Sequence, residues 1–269
     1  MGAVPRDPHA GDQDHDPAAR LHAPAVHDGL DDRVAIEEPL EIRVHGDAIA
    51  VTMRTPGHDE ELAVGFLHGE GLVAVQGIRG AGPTADLENN IVEVDADLIA
   101  RPATRRFYTT SSCGVCGKGA LEEVAVHAGP VPPGPVVDRA LLAALPDRLA
   151  GAQPAFARTG GLHATGLFDV DGELLLARED VGRHNAMDKV IGARALAGAL
   201  PLHGLMLCVS GRVSFELVQK AAVAGAPILV AVGAPTSLAI SLARDRNITL
   251  CGFARRGGVN VYTGTERVA

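Results

Sequence analysis

Between Gly204 and Phe253 the chain alternates short apolar runs with amphipathic ones: GLMLCVSG, SFELVQKAAVAG, PILVAVG, SLAISLARDR and ITLCGF. An apolar run of a few residues bounded by glycine or a polar residue reads as a strand buried on both faces. The segments between repeat their apolar residues at helical spacing. This alternation constrains the chain more than any other feature, because it predicts parallel strands joined by crossover helices in an α/β layered fold. Upstream, ALLAALPDRL predicts a helix, GLHATGLFDV and ELLLARED predict two strands around an Asp-Gly turn, and HNAMDKVIGARALAGAL predicts another helix.

The first half reads differently. RVAIEEPLEIRVHGDAIAVTMRTPG alternates apolar and polar residues on both sides of HGD, the pattern of a half-buried hairpin. In DEELAVGFLHGEGL, Leu62, Ala63, Phe66 and Leu67 fall at helical spacing, with Asp59 placed to cap the helix. NNIVEVDADL predicts one more strand. These segments outline a small α+β domain over 31–128, ending in the thiol loop. VHAGPVPPGPVVD, rich in proline, marks a linker over 129–137, and the second domain spans 138–269. Residues 1–30 lack hydrophobic periodicity and predict a disordered tail, in which His9, His15, His22 and His27 are too irregularly spaced to define a metal tract.

A chain of 269 residues suits two compact units. With 46% hydrophobic residues but no Trp, two Tyr and six Phe, aliphatic side chains must build the cores. The net charge of −9 argues against broad binding of nucleic acid, which needs clustered cations to displace phosphate counterions. No apolar run approaches the about 20 residues of a membrane span, and the N-terminus lacks the apolar core of a secretory signal. The expectation is a cytoplasmic protein with no membrane or nucleic-acid partner.

The chemically dense segments fall where strands of the second half end. ARED leads into VGRHNAMDK, and LCVSG leads into RVSFELVQK. Ligands of open α/β sheets gather beyond the carboxyl ends of strands, where free amides at helix N-termini favour anions. Arg183 and Arg212 add forked cationic donors suited to phosphate, unless ion pairs with Glu179, Asp180 or Glu216 occupy them. Lys118, Lys189 and Lys220 also lie beside these motifs.

TTSSCGVCGKGA sets Cys113 and Cys116 three positions apart among small residues. In a reducing compartment such a pair is catalytic, redox-active or metal-binding more often than a structural disulfide. A zinc site would draw on His127, or on HGE at 68–70 in an echo of nucleoside deaminases, although Ser112 stands where that pattern has proline. A thiolate able to attack sulfur is the stronger chemistry. The pair alone leaves sulfur carriage, disulfide exchange and metal binding open. Cys208 and Cys251, in apolar runs, read as small core residues.

TSSCGVCGK, TGGLHATGLFD, REDVGRHNAMDKVIG, SGRVSFELVQKA and GAPTSLAISLARDRNITLCGFAR follow one another in that order, preceded by RTPGHDEELAVGFLHGEGL. From about residue 33 onward the chain resembles the FdhD/NarQ family, the formate dehydrogenase accessory sulfurtransferases. The resemblance implies a sulfur relay, in which a cysteine desulfurase supplies a persulfide that is delivered to molybdenum or tungsten bis(molybdopterin guanine dinucleotide), for the catalytic subunit of formate dehydrogenase. Cys113 would carry the persulfide and Cys116 would assist. The family's cofactor-contacting segment, after the last strand, falls on Phe253, Ala254, Arg255, Arg256, Gly257 and Gly258. Members commonly carry arginine at its sixth place; here that place is Gly258, with Arg256 nearby. The resemblance further implies a three-layer, cytidine-deaminase-like second domain without a metal. It adds contacts from His163 and His184 to guanine, ribose or phosphate, and a cofactor-binding set with Asp180, Arg183, Asn185, Ser210, Gly211, Arg212 and Ser214. GDP would serve as a fragment ligand, and the protein would be a homodimer. The alternatives are a zinc-dependent deaminase-like hydrolase and a nucleotide-binding chaperone without covalent chemistry.

Overall fold

The computed structural model describes residues 21–84, 90–100, 108–109 and 128–269. Cys113, Cys116, Lys118 and His127 lie outside the described residues.

The chain opens with β1 (His22–His27) and β2 (Leu30–Ala35), paired antiparallel across Asp28-Gly29. Both turn residues have positive φ, 50° and 79°, as a type I′ hairpin turn requires. The expected disordered tail to residue 30 is therefore corrected at its end, where a turn signal outweighed the polar composition. His22 bonds Arg158 at 3.2 Å, tying the ribbon to the second unit.

In the first unit β3 (Glu38–Val44) and β4 (Asp47–Arg54) form the expected hairpin, turning at His45-Gly46. They join β5 (Val73–Pro83), β6 (Ile91–Leu98) and β7 (Tyr108–Thr109) in the order β5-β6-β3-β4-β7. β5 had no legible signal, because bulges break its register against β6 and glycines interrupt its alternation. Helix α1 (Asp59–Gly69) lays Leu62, Ala63 and Leu67 onto Leu40, Ile42, Val44, Val92 and Val94. Its cap differs from expectation. His58, at φ 59°, is the N-cap, and the Asp59 carboxylate instead receives two bonds from buried Arg54, at 3.0 and 2.9 Å. A buried guanidinium, which also reaches Glu38 at 3.2 Å, outbids the helix amides for the Asp59 carboxylate.

The proline-rich segment is irregular, as expected, but it does not hang free. Val131 and Val137 are buried, Val131 N donates to the Arg246 carbonyl (2.9 Å), and Val137 N donates to that of Arg267 (2.9 Å), so the segment is a strap on the second unit. There α2 (Arg139–Ala150), capped by the Asp138 carboxylate, and α3 (Pro154–Thr159) precede β8 (His163–Phe168) and β9 (Leu174–Asp180). Then come α4 (Arg183–Leu196), β10 (Met206–Val209), α5 (Phe215–Val223), β11 (Ile228–Ala231), α6 (Ser237–Asp245), β12 (Thr249–Arg255) and β13 (Gly258–Thr263). The six strands lie in the order β13-β12-β11-β10-β8-β9. Only β10, β11 and β12 run parallel; β8, β9 and β13 pair antiparallel to their neighbours. The result is a mixed sheet where parallel pairings were expected.

Alternate residues of β10 serve opposite layers. Met206 and Cys208 meet the α2 side with Leu142, Leu145 and Leu149, whereas Leu207 and Val209 join Met187, Val190, Leu217 and Val218 of α4 and α5. Cys208 and Cys251 are the core residues expected of them, both free, and burial pushes the Cys251 thiol up to about 12. Among the described residues, no helix is long and apolar enough to cross a membrane.

The two units meet where α1 crosses α4. A Cβ at Gly65 would overlap the Asp188 carbonyl, and one at Gly192 would overlap the Glu61 carbonyl, so the helix backbones touch. Ion pairs flank the crossing. Arg178 grips Glu61 through two bonds of 2.6 and 2.7 Å, and Lys220 reaches both Glu70 and Asp188 at 2.9 Å. Burial pushes Asp188 up to about 6 against the pull of Lys220. Burial would also raise Glu61, but its bonds to Arg178 and His58 outweigh that and hold it down to about 2.

Three outcomes are expected. Gly192→Ala should cost upwards of about 3 kcal/mol in chemical denaturation, because backbone cannot yield as a side chain can. Gly80→Ala, with nothing within 4 Å of the added methyl, should stay within about 0.5 kcal/mol. Glu61→Gln should lose roughly 1–3 kcal/mol at pH 7. Since the folded pKa lies below the unfolded one, that deficit should shrink as pH falls from about 5 toward 2, as read from denaturation midpoints of both proteins.

Candidate functional site

Three parallel strands deliver their carboxyl ends to one edge of the second sheet. Ser210-Gly211-Arg212 follows β10 and Gly233 follows β11, while Gly252-Phe253 is a bulge within β12. The antiparallel pairing of β8 and β9 brings His163 and Asp180 to the same edge. The backbones stay in contact beyond the strands: Gly233 N donates to the Gly211 carbonyl (3.0 Å) and Phe253 N to that of Gly233 (3.1 Å). Glycine is needed at this row. A Cβ at Gly233 would come within 2.9 Å of the Gly211 oxygen, and one at Gly252 within 2.8 Å of Pro235 Cδ.

Helices α4 and α5 begin at this edge. Their N-caps, Gly182 and Ser214, make no side-chain cap bond, whereas Thr236 of α6 caps its own helix through Ala239 N. Amides left open at two adjacent helix starts favour an anion. Arg183 stands in the first turn of α4, its buried Nε without a hydrogen-bond partner among the described residues. The anticipated ion pairs of Arg183 and Arg212 with Glu179, Asp180 or Glu216 do not form. Glu179 instead accepts from the amides of Ala155 and Phe156 at the start of α3 (3.0 and 2.7 Å). Arg212 is exposed at the rim.

Glu216 pairs with His184. The imidazole Nε2 lies 3.1 Å from its carboxylate and 3.2 Å from Ser214 Oγ, and Ser214 donates to the same carboxylate at 2.9 Å. The bond from His184, outweighing burial and aided by Ser214 and the charge of Arg183, holds Glu216 down to about 2. His163 sits deeper. Burial, then the charges of Arg183 and His184, lower its pKa, and its Nδ1 lies 3.5 Å from Ser210 Oγ, which accepts from Ala164 N at 2.9 Å. A cleft of about 410 Å³ opens beside it, lined by Leu149, Phe156, Gly160, Leu162, His163 and Ser210.

Thus His163, Arg183, His184, Ser210, Gly211, Arg212, Ser214 and Phe253 gather at one edge. Asp180 and Asn185 face elsewhere. Asp180 is fully buried, and its carboxylate accepts from Gly182 N, Asn185 Nδ2, Thr55 N and Lys189 Nζ. Direct ligand contact by Asp180 is therefore corrected to a structural role. Lys189 and Lys220 are likewise buried in ion pairs and unavailable to a ligand.

The segment 253–258 is the β12–β13 hairpin, not a tail beyond the last strand. β13 was missed because its exposed positions and the Gly257-Gly258 pair at its start mimic a loop. Arg256 and Gly257 turn with φ of 51° and 76°. Ala254 is buried in the α2-side core; Arg255, Arg256, Gly257 and Gly258 are exposed, with the Arg255 guanidinium 5.8 Å from the Phe253 ring centre. Phe253 itself holds a φ of 52°. Two residues of the site escaped sequence reasoning. Glu216 was legible only as an acid in a first helical turn, and Gly233 only as the glycine that ends PILVAVG.

Comparison with known proteins agrees with the motifs. The model of the FdhD/NarQ family matches residues 35–269. A sulfur carrier protein FdhD of Streptomyces coelicolor is 52% identical over 254 residues, covering 88% of this chain and 89% of its own. One of Mycolicibacterium paratuberculosis is 50% identical, covering 87% and 91%. Among solved structures, a chain from Desulfotalea psychrophila described as a formate dehydrogenase accessory protein superposes with a TM-score of 0.74 at 27% identity, covering 92% of this chain and 98% of its own. A family match over most of the chain, together with relatives at half identity, places the protein in the FdhD/NarQ family of sulfur carrier proteins.

Proposed function

We propose that the chain carries sulfur as a persulfide on Cys113, assisted by Cys116, from a cysteine desulfurase to the bis(molybdopterin guanine dinucleotide) of a molybdenum or tungsten formate dehydrogenase. The observation that carries the acceptor half of this reading is the pair of uncapped helix starts, Gly182 and Ser214, beside the unpartnered Nε of Arg183. Two open amide clusters and a half-buried arginine with an unpartnered Nε favour a dianion, and a nucleotide's phosphates supply one. The glycine row lets phosphate oxygens approach backbone that a Cβ would shield. The apolar cleft beside His163 takes the base, which a neutral imidazole can meet as donor or acceptor. Arg212, Arg255 and Arg256 add cationic donors at the rim. A deaminase-like second unit whose metal chemistry is gone fits this use of the crevice, and two guanine arms suit a homodimer.

Loading is electron-balanced without further reagents. The Cys113 thiolate attacks the terminal sulfur of the donor's persulfide, the new S–S bond forms as the donor's breaks, and the donor leaves as thiolate. The acceptor is a substrate. The chain's own residues bind its phosphates, hold its base and shield the crevice from water.

Incubation with a desulfurase and cysteine should raise the intact mass by about 32 Da per transferred sulfur in the wild type and not in Cys113→Ala; an equal gain in both would reject the carrier assignment. Arg183→Ala should weaken GDP binding about tenfold to a hundredfold in calorimetry, from the loss of a charge-assisted bond, and leave loading intact. Unchanged affinity would move the nucleotide elsewhere.

A further inference from the structure

Asn185 follows directly on Arg183 and His184, yet its side chain serves the other unit. Successive helical residues point about 100° apart, so one turn of α4 presents two residues to the crevice and the third to the seam. Asn185 Nδ2 donates to the Met53 carbonyl at 2.8 Å and to Asp180 Oδ1 at 3.0 Å. Its Oδ1 lies 3.5 Å from Thr52 Oγ1. Both amide protons are thereby spent, leaving none for a bound nucleotide. Asp180, in turn, is fixed by Lys189 (2.7 Å) and Thr55 N (3.1 Å), and Lys189 also donates to the Thr55 carbonyl at 2.9 Å.

What Asn185 holds is the end of β4. Thr52 pairs in register with Thr109 of β7, which stands four positions before Cys113 in the chain. The same asparagine therefore joins the helix start bearing Arg183 and His184 to the end of the strand that pairs with Thr109, the described residue nearest Cys113 in sequence on its N-terminal side. We propose that Asn185 is a positioning residue for sulfur delivery, fixing the end of β4 against the crevice. Its role rests on the carrier function above. The seam does not need Asn185 to close, since the Gly65–Gly192 crossing and the Lys189–Asp180–Thr55 cluster hold it independently. Losing the bonds of this one side chain should loosen the alignment and leave the fold.

The test compares wild type, Asn185→Ala and Asn185→Gln by amide exchange, GDP calorimetry, persulfide loading and activation of an apo formate dehydrogenase. In Asn185→Ala, exchange at Val51–Arg54 should accelerate about tenfold. GDP affinity should stay within about twofold, loading should be unchanged, and delivery should fall about tenfold. Asn185→Gln, which retains the amide, should recover most of the delivery. Wild-type delivery in Asn185→Ala, or a loss that merely tracks weakened GDP binding or loading, would overturn the proposal. A wild-type protein that neither loads nor delivers would instead reject the carrier function, while unchanged exchange at β4 would still reject the tether by itself.

Discussion

Contact between two helix backbones is the condition on which the rest of this structure depends. Gly65 and Gly192 let α1 and α4 approach until each meets the other's carbonyls, a distance no side chain would permit. Once that approach is made, Glu61, Glu70 and Asp188 cannot remain in water, and each needs the cation it finds in Arg178 or Lys220. Buried pairs of this kind add little net stability over apolar packing, but removing one partner is costly because the other charge is left behind. Their effect here is on register. The pairs of Glu61 with Arg178 and of Glu70 with Lys220 join α1 and its C-cap to the second unit, so a slide or rotation at the crossing would break them, while Asp188 fixes Lys220 from within that unit. The small α+β unit and the larger layered one consequently behave as a single frame.

The crevice uses the opposite economy of charge. The chain as a whole carries −9, yet the edge where α4 and α5 begin gathers Arg183, Arg212 and two histidines. Glu216 is the acid placed among them, and His184 and Ser214 absorb its charge at close range. Arg183 is left with a buried donor that no described residue answers. A buried Nε is also left unanswered at Arg194, in the last turn of α4, but the one at Arg183 stands at the edge where two helix starts have no side-chain cap.

How much of this was legible in the sequence depended on whether the signal was local. The helices and strands from α4 to β12 followed from apolar runs and periodicity, since each is decided by residues within a few positions. The convergence of the two helix starts also followed, because parallel crossovers must bring carboxyl ends to one edge. Three classes of feature did not. The β8–β9 hairpin was legible from its Asp-Gly turn, but its antiparallel join to β10 was not, since nothing local shows which strand of a hairpin meets the parallel set. Bulged or glycine-broken strands, β5 and β13, lost their alternation. Long-range partners were invisible: nothing in RED or MDK announces that Asp180, Asp188 and Lys189 face the first unit and not the ligand. That Arg183, His184, Ser210, Gly211 and Arg212 gather at one edge was legible because their motif sits at a strand-to-helix corner. Asp180 and Asn185 were drawn in by the same motif and belong to the seam.

Phe253 holds a left-handed backbone that an aromatic residue adopts only at a cost. Glycine would sit there without strain. The ring nevertheless stays at the lip of the crevice, partly exposed, with a guanidinium beside it. A laboratory selection for heat tolerance alone would thus be drawn to replace it, and the most durable descendants of this protein would be those that had lost the aromatic ring at the lip of the crevice.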